Sequence, residues 1–278
     1  MKTTLKRLVQ KADSKIQAGN LVREYLQVRI LESLQNTGGM IPLAFQGGTA
    51  LRFLYDLPRF SEDLDFALER PKVSFDIQKS IEKILRVFIK ENYTVKSKLN
   101  TNKVVHSAFI QFPGLLYELG LSGQPKQILA IKLEVDTNPP AGAGLDTTLV
   151  RRYVVLRLQH YDRASLLAGK LHALLKRDYV KGRDVYDLFW YLSNRRWPEP
   201  NLILLNNALD QTGWKGKDLS KDTWRKAVQH RIEAMSWERV IDDVAPFLEK
   251  EAELELLTQE NLLSLLNLRN SQTKEDRG

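Results

Sequence analysis

Phe45-Gln46-Gly47-Gly48-Thr49-Ala50-Leu51, followed by Arg59-Phe60-Ser61-Glu62-Asp63-Leu64-Asp65-Phe66, is the stretch on which the fold turns. It reads as a strand, a tight glycine turn, a short helix and a second strand carrying two acids. The helix is expected over Ala50–Leu57, with Leu51, Leu54 and Tyr55 on one side. Pro58 disfavours helix at Leu57 and ends the element. Side chains alternate along the second strand, so Asp63 and Asp65 share one face while Leu64 and Phe66 take the other and enter a core. Two carboxylates so placed are costly unless something positive sits between them. A hard divalent cation, Mg²⁺ first of all, meets that need. Paired glycines let backbone N–H groups approach a phosphate without interference from a Cβ, and a helix N-terminus favours negative charge. Phosphate cradle and acid pair lie close in sequence, which points to a nucleotide handled as a metal complex.

The chain of 278 residues is long enough for one large domain or two modest ones. Its formal charge of +8 favours a polyanionic partner, although a generic basic surface accounts for it equally well. There are no cysteines, which excludes disulfides, zinc–thiolate sites and thiol nucleophiles. Nothing at the N-terminus reads as a signal peptide, and no apolar run approaches a membrane span. His106, His160, His172 and His230 are scattered without HExxH spacing, which disfavours a zinc hydrolase. GxSxG and GxxxxGK[ST] are both absent, which argues against a serine hydrolase elbow and a P-loop.

Outward from the central stretch, residues 1–19 are polar and basic, a short helix or a loose arm, followed by a helix over Asn20–Leu34 that stops at Gly38-Gly39. Pro42–Gln46 is the first strand. Arg70-Pro71-Lys72 marks a turn, and Ile77, Ile81, Ile84, Leu85, Phe88 and Ile89 define an amphipathic helix. Thr94–Leu99 and Val104–Phe112 read as strands around an Asn100-Thr101-Asn102 turn. In Gln127–Asp136, Leu129, Ile131, Leu133 and Val135 alternate with Lys132, Glu134 and Asp136, as expected of a central strand with one charged face. Asn138–Gly144 is expected to be a flexible loop, a lid or a plain connector, and Thr148–Leu158 a further single strand. From Tyr161 the pattern is helical, with Asp162 as N-cap and Lys170 inside an apolar run, where a lysine more often snorkels than lies buried. Asp184 and Asp187 lie three apart on the next helix. Further helices are expected at about 201–211, 221–236, 238–250 and 256–268. Arg225, Lys226, His230, Arg231 and Arg239, interleaved with Trp224 and Trp237, read either as an RNA-contacting face or, preferably, as a bundle whose tryptophans are core.

Gly48-Thr49, then thirteen residues, then Asp63-x-Asp65 resembles the hG[GS]…Dx[DE] signature of the DNA polymerase β-like nucleotidyltransferases. The fuller wording, GGTAL then RFSEDLDF, resembles the AbiEii/AbiGii toxin family, which includes MenT-type enzymes that add nucleotides to tRNA. Leu167–Ala173 resembles that family's lysine motif, and Arg183-Asp184-Val185-Tyr186-Asp187-Leu188 its RDxxDL element. The resemblance implies an α+β fold: a polymerase β-like mixed sheet flanked by helices over 1–160, a helical domain over 161–270 that contributes active-site residues, and a disordered tail over 271–278. It implies a Mg²⁺-dependent nucleotidyltransferase, with two ions and an NTP substrate. Asp63 and Asp65 would be metal ligands, and Asp136 a third, with Glu134 behind it. Gly47, Gly48, Thr49, Ser61, Lys170 and Arg183 or Lys181 would contact the nucleotide. Asp184, and less so Asp187, would orient Lys170 or serve as a base. The acceptor implied is RNA, at a tRNA 3′ end, and the role a cytoplasmic toxin of a toxin–antitoxin or phage-defence pair with a separate antitoxin. Two further readings stay open: the same fold modifying a protein or small molecule, and a non-catalytic RNA-binding module.

Overall fold

A computed structural model describes residues 2–70, 75–179 and 181–275. The turn expected at Arg70-Pro71-Lys72 falls mostly outside them. The chain separates into two compact units, Met1–Pro139 with Leu145–His160, and Pro140–Gly144 with Tyr161–Gly278.

The first unit is built on a seven-stranded mixed sheet in the order β3-β4-β5-β2-β1-β7-β6. The strands are β1 (Leu43–Gln46), β2 (Leu64–Leu68), β3 (Lys96–Asn100), β4 (Val105–Pro113), β5 (Ile128–Asp136), β6 (Leu145–Arg152) and β7 (Val154–Tyr161). β2 runs antiparallel to β1 and parallel to β5, and β1 runs parallel to β7. The helices are α1 (Lys2–Gln10), α2 (Lys15–Asn36), α3 (Gly47–Tyr55), α4 (Ile77–Lys90) and the single turn α5 (Leu115–Glu118). The arm at 1–19 is therefore mostly helix. α2 begins earlier than its apolar spacing suggests because the Ser14 hydroxyl caps it, accepting from Gln17 N–H at 3.1 Å. α4 is capped likewise by Asp76, which accepts from Lys79 N–H at 2.9 Å. Its apolar stripe packs Phe88 against Phe112 of β4, centroids 5.0 Å apart. The sheet face of Ala108, Ile110, Phe112, Leu133 and Val135 is buried, while the alternate residues remain partly or fully accessible.

Three expectations are corrected here. The helix after the glycines starts at Gly47 rather than Ala50, so both glycines lie in its first turn. The strand expected over Thr148–Leu158 is two adjacent strands, β6 and β7, broken at Tyr153, whose φ of +49° turns the chain. The loop before β6 is fastened rather than free. Gly144 N–H donates to Ser165 Oγ at 2.9 Å, Asp162 N–H to the Gly144 carbonyl at 2.9 Å, and Asn201 Nδ2 to the Gly142 carbonyl at 2.7 Å.

The second unit is helical: α6 (Arg163–Lys176), α7 (Gly182–Ser193), α8 (Leu202–Gln211), α9 (Trp224–Glu233), α10 (Trp237–Val244), a 3₁₀ turn at Ala245–Phe247, α11 (Glu253–Leu256) and α12 (Gln259–Glu275). Asp162 caps α6 as expected, accepting from Ser165 N–H at 2.7 Å. Trp224 is fully buried and Trp237 donates to the Leu257 carbonyl at 2.9 Å, so these tryptophans serve the bundle. Arg225 is buried against Glu199, and Arg231 donates to the Leu174 carbonyl at 3.3 Å. The basic face expected here is thereby reduced to Lys226, His230 and Arg239, which are exposed. α12 continues to Glu275 where a disordered tail from 271 is expected, and 276–278 lie outside the described residues. Among the described residues no helix is long and apolar enough to cross a membrane.

Candidate active site

α3 is held at both ends. Asp56 ends it in the left-handed region at φ +57°, and Arg52 donates to the Leu57 carbonyl at 3.1 Å. Arg52 is also paired with Glu24 of α2, both buried, and Arg152 of β6 lies 3.6 Å from Glu24 and 2.7 Å from Asp56. These ions tie α2, α3 and β6 together and carry the chain round Pro58 into β2. At the other end, Gln46 makes no side-chain cap, so the first N–H groups of α3 lack that partner. Gly47 has φ +78°, and a Cβ there would fall on Oδ2 of Asp65 and within 3.0 Å of that residue's Cβ and Cγ. A Cβ on Gly48 would lie 2.6 Å from an Arg59 guanidinium nitrogen and 3.2 Å from the Ser61 hydroxyl. The glycine turn, Asp65, Ser61 and Arg59 thus form one crowded centre, brought together because Gln46 pairs with Asp65 across β1 and β2. Thr49 follows the glycines in the first turn of α3. It is fully buried and its hydroxyl donates to the Asp63 carbonyl, so its side chain locks helix to strand and leaves only its backbone for a phosphate.

The sheet register sets which acid of β5 faces Asp65. Asp65 lies directly opposite Glu134, whereas Asp136 lies opposite Ala67, one pleat further along the same face. Asp136 accepts from Asn138 N–H at 2.9 Å, and burial, partly offset by that bond, raises its pKa. Glu134, expected behind Asp136, is thus the residue in register with Asp65, an offset that is not visible in β5 alone. Lys132, which carries no role in the sequence reading, contacts Glu134 at 2.7 Å. Burial works against its charge, but Glu134, Asp63 and Asp65 outweigh that and raise its pKa. Its signal in the sequence was its place two residues before Glu134 on the same face. Among the described residues no group of three or more His, Cys, Asp or Glu side chains is gathered as a ready-made metal site. The donor set still fits a hard cation such as Mg²⁺, which binds one or two carboxylates and completes its shell from substrate phosphates. Oxygen-only ligands beside an uncapped helix N-terminus are the donors such a complex uses.

In the second unit, Lys170 is not snorkelling. Its side chain is 11 % exposed and its ammonium lies 2.9 Å from Asp184 and 2.6 Å from Asp187. Asp184 also pairs with Arg177. Burial alone would raise the Asp184 pKa, but Lys170, Arg177 and Lys181 hold it well below the usual carboxylate range. Asp184 sits in the first turn of α7, not at its cap, which is Lys181. Gly182 is required by packing, since a Cβ there would run into the Val240 backbone. Arg183 is engaged within the unit: its backbone N–H donates to Asp243 at 3.1 Å and its guanidinium stacks 4.2 Å from the Phe247 ring centroid.

A search among curated proteins returned no significant relative. Among solved structures, the fold is similar to that of a protein from H. pylori described as a nucleotidyltransferase, at 16 % identity, TM-score 0.55, over 92 % of this chain and 96 % of that one. JHP933 from Helicobacter pylori is similar at 16 % identity and TM-score 0.52, covering 93 % and 94 %. The MenT4 nucleotidyltransferase toxin from Mycobacterium tuberculosis H37Rv aligns at 16 % identity and TM-score 0.47, covering 96 % and 99 %. At these identities the neighbours speak to fold alone. The sequence profile of the AbiEii nucleotidyl transferase toxin, type IV toxin–antitoxin system, matches residues 29–259, a span that contains the glycine turn, the acid pair, Lys170 and the RDxxDL element. With the profile covering most of its length, the chain belongs to the AbiEii family of nucleotidyltransferase toxins of type IV toxin–antitoxin systems.

Proposed function

We propose that this nucleotidyltransferase moves a nucleoside monophosphate from an NTP to a hydroxyl of an RNA acceptor, at a tRNA 3′ end. The observation that supports the reading is the close approach of the Asp65 side chain to the Gly47 backbone, so close that no Cβ fits between them. In the proposed reaction the acceptor oxygen bonds to the α-phosphorus, the bond from that phosphorus to the bridging oxygen breaks, pyrophosphate leaves, and the hydroxyl proton is lost. The first N–H groups of α3, at Gly48 and Thr49, hold a phosphate, and the Ser61 hydroxyl donates to it. Asp63 and Asp65 would hold divalent metal, proposed as two Mg²⁺ ions, with Glu134, in register with Asp65, or Asp136 as a further carboxylate. Bound metal supplies charge neutralisation for attacking and leaving oxygens. Lys170 is proposed to neutralise the leaving pyrophosphate, with Asp184 and Asp187 orienting its ammonium. Arrest of growth by blocked tRNA, in the cytoplasm and opposed by a cognate antitoxin, completes the proposal.

The test is incubation with each labelled NTP, Mg²⁺ and total tRNA. Transfer to tRNA that is lost in Asp63→Ala and on chelation supports the reading. Transfer to no RNA sinks it, and label appearing on protein instead selects the other acceptor class.

A further inference from the structure

The face of the sheet that carries the acids continues beyond them, uncovered, to the β3 edge. Register carries one row from Asn100 through Ser107 and Glu134 to Asp65 and Gln46. The next row runs Lys98–Phe109–Lys132 and the next Lys96–Gln111–Ala130. Lys96, Lys98 and Asn100 are exposed, and Phe109 is 38 % exposed although it sits mid-strand. The Lys132 ammonium stands 5.7 Å from the Phe109 ring centroid. Val105 and Ile128 on the same face are also open, at 42 % and 40 %. The opposite faces of β4 and β5 are buried, so this is the accessible side of these strands and not a gap in the core.

We propose that this face is the acceptor platform: an unpaired RNA segment lies across β3, β4 and β5, stacks a base on Phe109, sets its phosphates against Lys96 and Lys98, and so delivers its terminal hydroxyl to Asp63 and Asp65. The proposal rests on the transferase reading above and adds the route of the substrate. An accessible aromatic ring flanked by ammonium groups suits a single strand, because every base has a π-face and every linkage a negative charge. A duplex offers no free base to the ring. β3 to β5 spans about 10 Å at two strand spacings, room for a strand rather than a helix. Lys132 faces both ways, toward Phe109 and toward the acids, and marks the seam between platform and reaction centre.

The experiment measures affinity of the full chain for a short fluorescein-labelled single-stranded RNA, without nucleotide, across a salt series. Phe109→Ala is expected to weaken binding about tenfold, the scale of one lost base stack, and Phe109→Trp to keep it. Lys96→Ser with Lys98→Ser is expected to lower the salt slope by about 1.4, at roughly 0.7 per phosphate contact on a single strand. NTP affinity in the presence of Mg²⁺ is expected to stay unchanged in all these variants, whose sites are surface-exposed. RNA affinity and salt slope equal to wild type in both variants would overturn the platform, as would RNA binding that favours duplex over single strand. Because RNA affinity is read without nucleotide, failure of the platform is separable from failure of the transferase reading, which shows as absent NTP binding in the unchanged chain.

Discussion

Replacing Gly47 by alanine puts the central geometry under direct strain. The residue holds φ +78°, where an L side chain costs about 1–2 kcal/mol. The added methyl would lie within 3.0 Å of the Asp65 Cβ and Cγ and on its Oδ2. Ordinary carbon contacts lie at ~3.5–4 Å, so the carboxylate must retreat by roughly 0.5–1 Å or the turn must open. A misplacement of about 1 Å in a reacting array costs on the order of 10²-fold in rate. The expected result is a loss of a few degrees in Tm, since about 1 kcal/mol moves a domain of this size by ~2–4 °C, with transfer reduced about a hundredfold at saturating NTP. Gly19 provides the contrast. It lies within α2 with nothing within 4 Å of a Cβ, so Gly19→Ala is expected to raise stability by about 0.5–1 kcal/mol and leave transfer unchanged. Thermal melts and labelled-NTP transfer on both variants check the pair. Gly47→Ala transferring label at the wild-type rate would refute the reasoning that the turn and Asp65 share one site.

Glu134→Gln is expected to reduce transfer more than Asp136→Asn, because Glu134 faces Asp65 and Asp136 faces Ala67; metal-dependent rates of the two variants decide it. Arg52→Met leaves the buried Glu24 with only the longer Arg152 pair and is expected to cost about 2–4 kcal/mol in urea unfolding, below the ~3–5 kcal/mol of a fully unpaired charge, with Glu24→Gln recovering part of the loss in the double variant. Asp184 titrates below its ordinary value of 3.8 in the folded chain. Its contribution to stability is therefore complete above that value and disappears as pH falls below it toward the folded pKa. Asp184→Asn should flatten the acid limb of the stability–pH profile below about pH 4, a comparison made by denaturant titration at stepped pH. Lys170→Met is expected to abolish transfer and to destabilise the helical unit, since Asp187 loses its ammonium partner in a fully buried position; Lys170→Arg, keeping charge, should recover stability more than activity.

Much of this protein follows from local chemistry. Alternation of period two put Leu64 and Phe66 in the core and left Asp65 between them on the more open face, whatever the partners of that strand. The apolar spacing of α4 marked its element from within, and Asp162 announced the start of α6, whereas α3 stops at Tyr55 on the left-handed Asp56, short of the Leu57 end expected from Pro58. The family wording lies in contiguous residues, so it too was readable without coordinates. What needed tertiary structure was everything set by pairing between distant segments. Which of Glu134 and Asp136 lies opposite Asp65 depends on how β5 slides against β2, and no property of Leu133-Glu134-Val135-Asp136 encodes that offset. That the Thr49 hydroxyl is spent on the Asp63 carbonyl, leaving only its backbone for a phosphate, is likewise set by a distant segment. Composition around Lys170 left snorkelling and burial both open, and only α7, with two carboxylates beside the ammonium, holds it inside. Phe109 read as one more apolar residue in a strand; only the sheet order, which leaves that face open from β3 to the acids, made it a surface. Local sequence sets which way a side chain points from its own backbone, and only the assembled sheet and bundle decide what it points at.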